Sequence, residues 1–206
     1  MAKKLYLMSG HSSTGRLKNI DESALTNADN RNVLILNLSY DDRVKNQGKR
    51  DFFRKYFQEL GADSVVFVEG ETPKVQIEEG FEKAGLLYLP GGDTKTLIHN
   101  LRSKGLDARL KSFNGVISGN SAGAYALCPE YLRIGRGDVE IIPSLGIVDF
   151  WTKAHYEPKF DADLEQLSTE REIYALENES AVVYDGDVGF IGNIWRFSKG
   201  RKERVN

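Results

Sequence analysis

Gly115-Val116-Ile117-Ser118-Gly119-Asn120-Ser121-Ala122-Gly123-Ala124-Tyr125-Ala126-Leu127 is the stretch that decides the reading of this 206-residue chain. Small and β-branched residues over 115–119 predict a buried strand, and residues 121–127 predict a helix directly after it. The junction Gly119-Asn120-Ser121-Ala122-Gly123 is a G-x-S-x-G pattern. In such an elbow the serine side chain is lifted clear of the sheet, the glycines relieve crowding, and the helix N-terminus offers unpaired N–H groups. Without that chemistry, Ser121 is an ordinary N-cap and its glycines are packing residues.

Working outward, short apolar runs alternate with longer amphipathic stretches. Residues 5–8 end at Ser9-Gly10-His11, 33–38 stop before Asp41-Asp42, 64–68 end at Glu69-Gly70, and 86–89 enter Pro90-Gly91-Gly92. Between them, 43–60 carry Phe52, Phe53, Tyr56, Phe57 and Leu60 at helical spacing before Gly61. Shorter helices are predicted at 75–84, 94–104 and 106–113. This rhythm predicts a single-domain, doubly wound α/β fold over residues 1–206, with a mostly parallel sheet flanked by helices. Beyond Pro129 the texture changes: 131–142, 145–153, 173–176, 181–184 and 189–197 read as strands or hairpins. The sheet is therefore expected to finish in mixed or antiparallel order. Arg136-Gly137-Asp138 reads as a hairpin turn, and the basic segment 199–204 as a solvated, frayed end.

Composition removes several function classes. The chain has Lys+Arg 28 against Asp+Glu 30, a net charge of −2, which gives no general attraction to nucleic acid or anionic lipid. Its single cysteine, Cys128, cannot form an internal disulfide or half of a metal-binding pair. His11, His99 and His155 are too widely spaced for a short zinc motif, so neither metal nor cofactor is expected. No export signal or membrane-length apolar run is read, and a cytoplasmic, soluble protein is expected.

A hydroxyl becomes a competent nucleophile when a base lies within hydrogen-bond reach. His155 is the one histidine after Ser121, in Ala154-His155-Tyr156 at the predicted end of a strand, and is the favoured base. Its bland alternative is a hydrogen-bonded core histidine. His11 is a second candidate base or a substrate-loop residue, and His99 reads as a helix-surface residue. Pro90-Gly91-Gly92-Asp93-Thr94 lacks phosphate-loop spacing. A glycine of this pair can instead offer its N–H, together with that of Ala122, to an oxyanion, with Asp93 or Thr94 as an N-cap in the plain packing reading.

Pro90-Gly91-Gly92-Asp93-Thr94, Ile117-Ser118-Gly119-Asn120-Ser121-Ala122-Gly123-Ala124, Ala154-His155-Tyr156 and Tyr174-Ala175-Leu176-Glu177-Asn178-Glu179-Ser180-Ala181 together resemble the successive motifs of the dipeptidase E (aspartyl dipeptidase) family. These are serine peptidases related to cyanophycinase, on a flavodoxin-like sheet of the class I glutamine-amidotransferase type. The resemblance implies Ser121 as nucleophile, His155 as base and an oxyanion hole from Gly92 and Ala122. Gly91, Asp93, Tyr156 and His11 become candidate substrate contacts, and a small peptide or related amide the substrate, with no nucleic acid or membrane partner. Two departures stand out. The family's acid position falls on Asn178, with Glu177 and Glu179 on either side as alternatives. The family's aspartate-binding arginine has no counterpart in 156–170, and Arg171 falls just before a predicted strand, so aspartyl specificity does not carry over. Tyr88, Trp151, Tyr156 and Phe160 favour a more apolar pocket. Two other readings stay open: a weak or inactive binding module on the same fold, favoured by Asn178, and a small α/β-hydrolase esterase with Asp138 or Asp149 as its acid.

Overall fold

Every second residue of a strand faces the same side of its sheet, and the apolar runs use this to feed two separate core layers. The computed structural model describes residues 3–10, 15–135 and 138–206. In order, the chain forms β1 (Lys4–Ser9), α1 (Arg16–Thr26), β2 (Asn32–Leu36), α2 (Arg43–Glu59), β3 (Ser64–Val68), α3 (Lys74–Lys83), β4 (Leu86–Leu89), α4 (Thr94–Ser103), α5 (Leu106–Ser112), β5 (Val116–Asn120) and α6 (Ala122–Leu127). Then follow β6 (Glu130–Ile134), β7 (Val139–Pro143), β8 (Trp151–Lys153), α7 (Asp161–Leu167), β9 (Ile173–Leu176), β10 (Ser180–Tyr184), β11 (Val188–Ile191), β12 (Ile194–Ser198) and β13 (Arg201–Arg204).

Seven strands make the main sheet in the order β11-β10-β1-β5-β4-β2-β3. The five from β1 to β3 are parallel, while β10 and β11 add antiparallel strands at one edge. Along β1, Leu5 and Leu7 join Leu34, Leu36, Leu87, Leu89 and Ile117 in a core covered by α3, α4, α5 and α6. Tyr6 and Met8 join Val33, Ile35, Tyr88 and Val116 in the opposite layer, beneath α1 and α2. All five parallel strands release their C-terminal ends at one rim, where an open α/β sheet displays its ligand-binding loops.

The C-terminal part supplies the expected antiparallel strands, though not all of them in one sheet. Only β10 and β11 extend the main sheet, whereas β13-β12-β9-β8 form a second sheet and β6-β7 a separate hairpin. The expected run 189–197 is two strands divided by Gly192, whose φ is +83°. The basic end is not frayed: β13 pairs with β12 from Trp195↔Arg204 to Ser198↔Arg201. Its charged side chains suit an edge strand, where they discourage pairing with another chain. Arg136 and Gly137 of the expected turn, like His11, lie outside the described residues.

Candidate active site

Ser121 sits at the junction of β5 and α6 with φ 52° and ψ −104°, a conformation that a residue with a Cβ rarely adopts. The two glycines of the motif let this turn pack. A Cβ on Gly123 would lie 2.1 Å from the Leu89 carbonyl oxygen, and one on Gly119 would lie 2.6 Å from Gly123 backbone. The elbow is thus pressed against β4, and its serine points away from the sheet.

Ser121 Oγ lies 2.9 Å from His155 Nε2, and His155 Nδ1 lies 2.8 Å from Asn178 Oδ1. The three side chains come from different strand ends, and the tip of β1 holds them together. Met8 O accepts the Ser121 N–H at 2.9 Å, Ser9 Oγ accepts the His155 N–H at 2.8 Å, and Ser9 O accepts the Glu179 N–H at 2.8 Å. Ser9 Oγ in turn donates to Leu176 O, and the Tyr125 hydroxyl fixes Ala154 O next to the histidine. Gly10, at φ +85°, completes this hub. A Cβ there would lie 2.0 Å from Asn178 Oδ1 and 3.1 Å from His155 Nδ1. Four described residues other than glycine have positive φ, and three of them, Ser121, His155 and Glu179, lie in or beside this chain of contacts. Such clustering is the mark of a site whose surroundings hold it in a costly geometry.

The arrangement is chemically polarised. An imidazole protonated at Nδ1 would donate to Asn178 Oδ1 and leave Nε2 as the acceptor facing the Ser121 hydroxyl. Of the two carboxylates flanking Asn178, Glu177 is engaged elsewhere. Glu177 accepts from Asn193 Nδ2 at 3.0 Å and Trp195 Nε1 at 3.3 Å, on the other side of its strand. Glu179 is buried with its backbone tied to Ser9. Among the described residues Nδ1 is partnered by Asn178, and an esterase order of serine, acid and histidine through Asp138 or Asp149 is not seen there.

Ser121 and His155 open onto a cavity of about 820 Å³, shared with Gly10, Tyr40, Lys49, Phe52, Phe53, Tyr56, Tyr88, Gly91, Gly92 and Asn120. Of the expected contacts, Gly91 and Gly92 line it. Asp93 instead caps α4 by accepting the Thr96 N–H at 2.7 Å, which holds its carboxyl below the usual range. Tyr156 bonds Asp161 and packs with Trp151 in a third cluster outside the cavity. Phe160 packs against that same cluster, so of the four aromatic residues expected around the site only Tyr88 lines it. Arg171 bonds Asp149 O and stacks on Trp151.

The aromatic wall comes from α2, where Lys49, Phe52, Phe53 and Tyr56 recur at helical spacing on one face. That periodicity was visible in the sequence, but the same pattern builds core and cavity wall alike. Asp21 was not anticipated. It is 1% exposed, accepts the Tyr56 hydroxyl at 2.7 Å, and leaves Oδ1 without a partner. Burial pushes its carboxyl up to about 7. The polar tip of β1 was also missed, since Ser9-Gly10 reads simply as a strand terminator.

Comparison with known proteins agrees with this architecture. A peptidase from an acI-B1 Actinobacterium superposes with TM-score 0.74 at 17% identity, covering 100% of this chain and 94% of that one. A protein assigned as peptidase E from Listeria monocytogenes EGD-e superposes with TM-score 0.62 at 22% identity, covering 100% of both chains. No curated protein matches by sequence. The model of peptidase family S51 matches residues 5–191, which spans the elbow, the histidine and the Asn178 segment, and on that ground the chain belongs to peptidase family S51, the dipeptidase E family.

Proposed function

We propose that this peptidase is of the serine type and cleaves a small peptide or related amide. The observation that carries the reading is the unbroken chain from Ser121 Oγ through His155 to Asn178 Oδ1, with contacts of 2.9 and 2.8 Å. Ser121 Oγ attacks the substrate carbonyl carbon while His155 Nε2 takes the hydroxyl proton, and the imidazolium returns it to the leaving amine. The N–H groups of Gly92 and Ala122 receive the oxyanion of the tetrahedral intermediate. Neither amide has a hydrogen-bond partner among the described residues. Water then attacks the acyl-enzyme with His155 as base, and the acid product leaves Ser121.

Phe52, Phe53, Tyr56 and Tyr88 give the cavity an aromatic wall, and among the described residues no arginine lines it. Both features favour an apolar side chain over aspartate next to the scissile bond. Hydrolysis of a dipeptide library tests the reading. Ser121→Ala and His155→Ala should each lower turnover by about 10³-fold or more, and the double variant should be no slower than the worse single one, because the residues act as a unit. Additive losses would contradict the mechanism. The neutral Asn178 supports a second reading, a slow or inactive binding module, and folded wild-type protein that cleaves no library member would favour it.

A further inference from the structure

The cavity contains one ammonium group that is seated on backbone. Lys49 Nζ donates to Gly91 O and, at 2.8 Å, to Ser39 Oγ, and Ser39 Oγ itself donates to Gly91 O at 3.1 Å. Among the described residues no carboxylate pairs with this lysine. The Tyr40 ring lies beneath it, 4.5 Å from Nζ to centroid. Burial pushes Lys49 down to about 8. A half-buried cation held by one carbonyl and one hydroxyl loses part of its hydration with no ion pair to offset it.

Gly91 O belongs to the same peptide group as the Gly92 N–H. That group is trans and planar, so its C=O and N–H point in opposite directions. Two donors that fix the oxygen therefore also aim the N–H. A peptide between two glycines has no Cβ on either side to bias its orientation. Gly92 has φ +145°, and a Cβ on it would lie 2.5 Å from Ser39 Oγ and 3.1 Å from Lys49 Nζ. On the nucleophile's side, a Cβ on Gly91 would lie 3.5 Å from Ser121 Cβ. The donors and the serine thus meet one glycine turn, and a charged donor on the carbonyl also strengthens the N–H of the same amide.

We propose that Lys49, helped by Ser39, is a positioning residue that clamps the Gly91–Gly92 peptide so that the Gly92 N–H faces the oxyanion. The proposal rests on the reading of Ser121 as nucleophile and Gly92 as oxyanion donor. It separates Lys49 from a second role that a cavity lysine could fill, the anchoring of a substrate carboxylate.

Phosphonylation by an uncharged alkyl fluorophosphonate places a phosphoryl oxygen in the same hole and needs no substrate carboxylate. Inactivation is followed over a range of probe concentrations, giving a maximal rate and a half-saturation concentration for wild type, Lys49→Met, Lys49→Arg, Ser39→Ala and the Lys49→Met/Ser39→Ala pair. Removal of an oxyanion donor costs about 10²–10³ in rate. Lys49→Met, which acts one peptide away, should lower the maximal rate by about 10- to 100-fold with half-saturation nearly unchanged. Lys49→Arg should recover most of that loss, and Ser39→Ala should show a smaller loss that is not additive with Lys49→Met. Should Lys49→Met fail to fold, Lys49→Arg and Ser39→Ala carry the test. Wild-type protein that takes no label removes the nucleophile itself. If wild type labels, a Lys49→Met variant with wild-type maximal rate overturns the clamp, as does a loss confined to half-saturation.

Discussion

Asn178 is where a single residue sets the speed of the proposed chemistry. In a serine-protease triad, exchange of the acid for its amide costs about 10⁴-fold in kcat because it fixes the wrong imidazole tautomer. Here the amide oxygen faces Nδ1 at 2.8 Å, which keeps the useful tautomer and leaves only the charge on the imidazolium unbalanced. Asn178→Asp should therefore raise kcat by about 10-fold or more, a gain well short of that 10⁴. Steady-state rates for Asn178→Asp beside Glu177→Gln and Glu179→Gln check this, and the two glutamine variants should stay near wild type. The position was legible because Leu176 and Ser180-Ala181 align with the family motif without a gap. The side chain that would meet His155 was not legible, since Asn178 and its neighbouring glutamates alternate between faces and sequence does not say which face turns inward. Ser121 and His155 were legible for the opposite reason: an elbow and a lone downstream histidine leave few alternatives.

Helix α2 shows how one element can serve two purposes. Phe53 and Phe57 are buried against Tyr88, with ring centroids 5.3 and 5.0 Å from it, while Phe52 is 59% exposed and stacks on Tyr56 at 5.6 Å. Phe52→Ala should raise KM for substrates with large apolar side chains about fivefold, the loss of roughly 1 kcal/mol of apolar contact. The thermal midpoint should barely move. Phe53→Ala, by contrast, should cost about 3 kcal/mol of stability. Library kinetics and denaturant titration together separate wall from core. The elements missed at the sequence level fail for identifiable reasons. Leu17, Ile20, Ala24 and Leu25 of α1 do have helical spacing, but buried Asp21 interrupts the stripe. Helix α7 has seven residues and a single buried apolar side chain, Leu164, too little for a period to register. β13 is a run of Arg, Lys and Glu whose strand character comes entirely from pairing with β12.

Across the whole molecule, the parallel strands bring the glycine turn after β4 and the serine elbow after β5 to one rim, and the tip of β1 ties in the histidine and Asn178. The stability of that assembly should depend on pH through Asp21, which faces Tyr56 and Tyr88 in the layer beneath α1 and α2. Its carboxyl is raised to about 7 when folded, mainly by burial. The folded state therefore binds its proton more tightly than the unfolded chain, and stability falls as pH rises from about 4 towards 7 before levelling. Asp21→Asn should remove that part of the decline and be more stabilising at pH 8 than at pH 5, which denaturant titration at the two values would detect. The fold class was legible from the alternation of short apolar runs with amphipathic stretches. The division of the C-terminal strands among the main sheet, a second sheet and a separate hairpin was not, because it depends on which edges meet in space. The most direct test of the central claim is to map the phosphonyl group by mass spectrometry after treating folded protein with an alkyl fluorophosphonate. One adduct is expected, on Ser121, absent from Ser121→Ala and formed much more slowly in His155→Ala. An adduct on another residue, or none on the folded wild type, would contradict it.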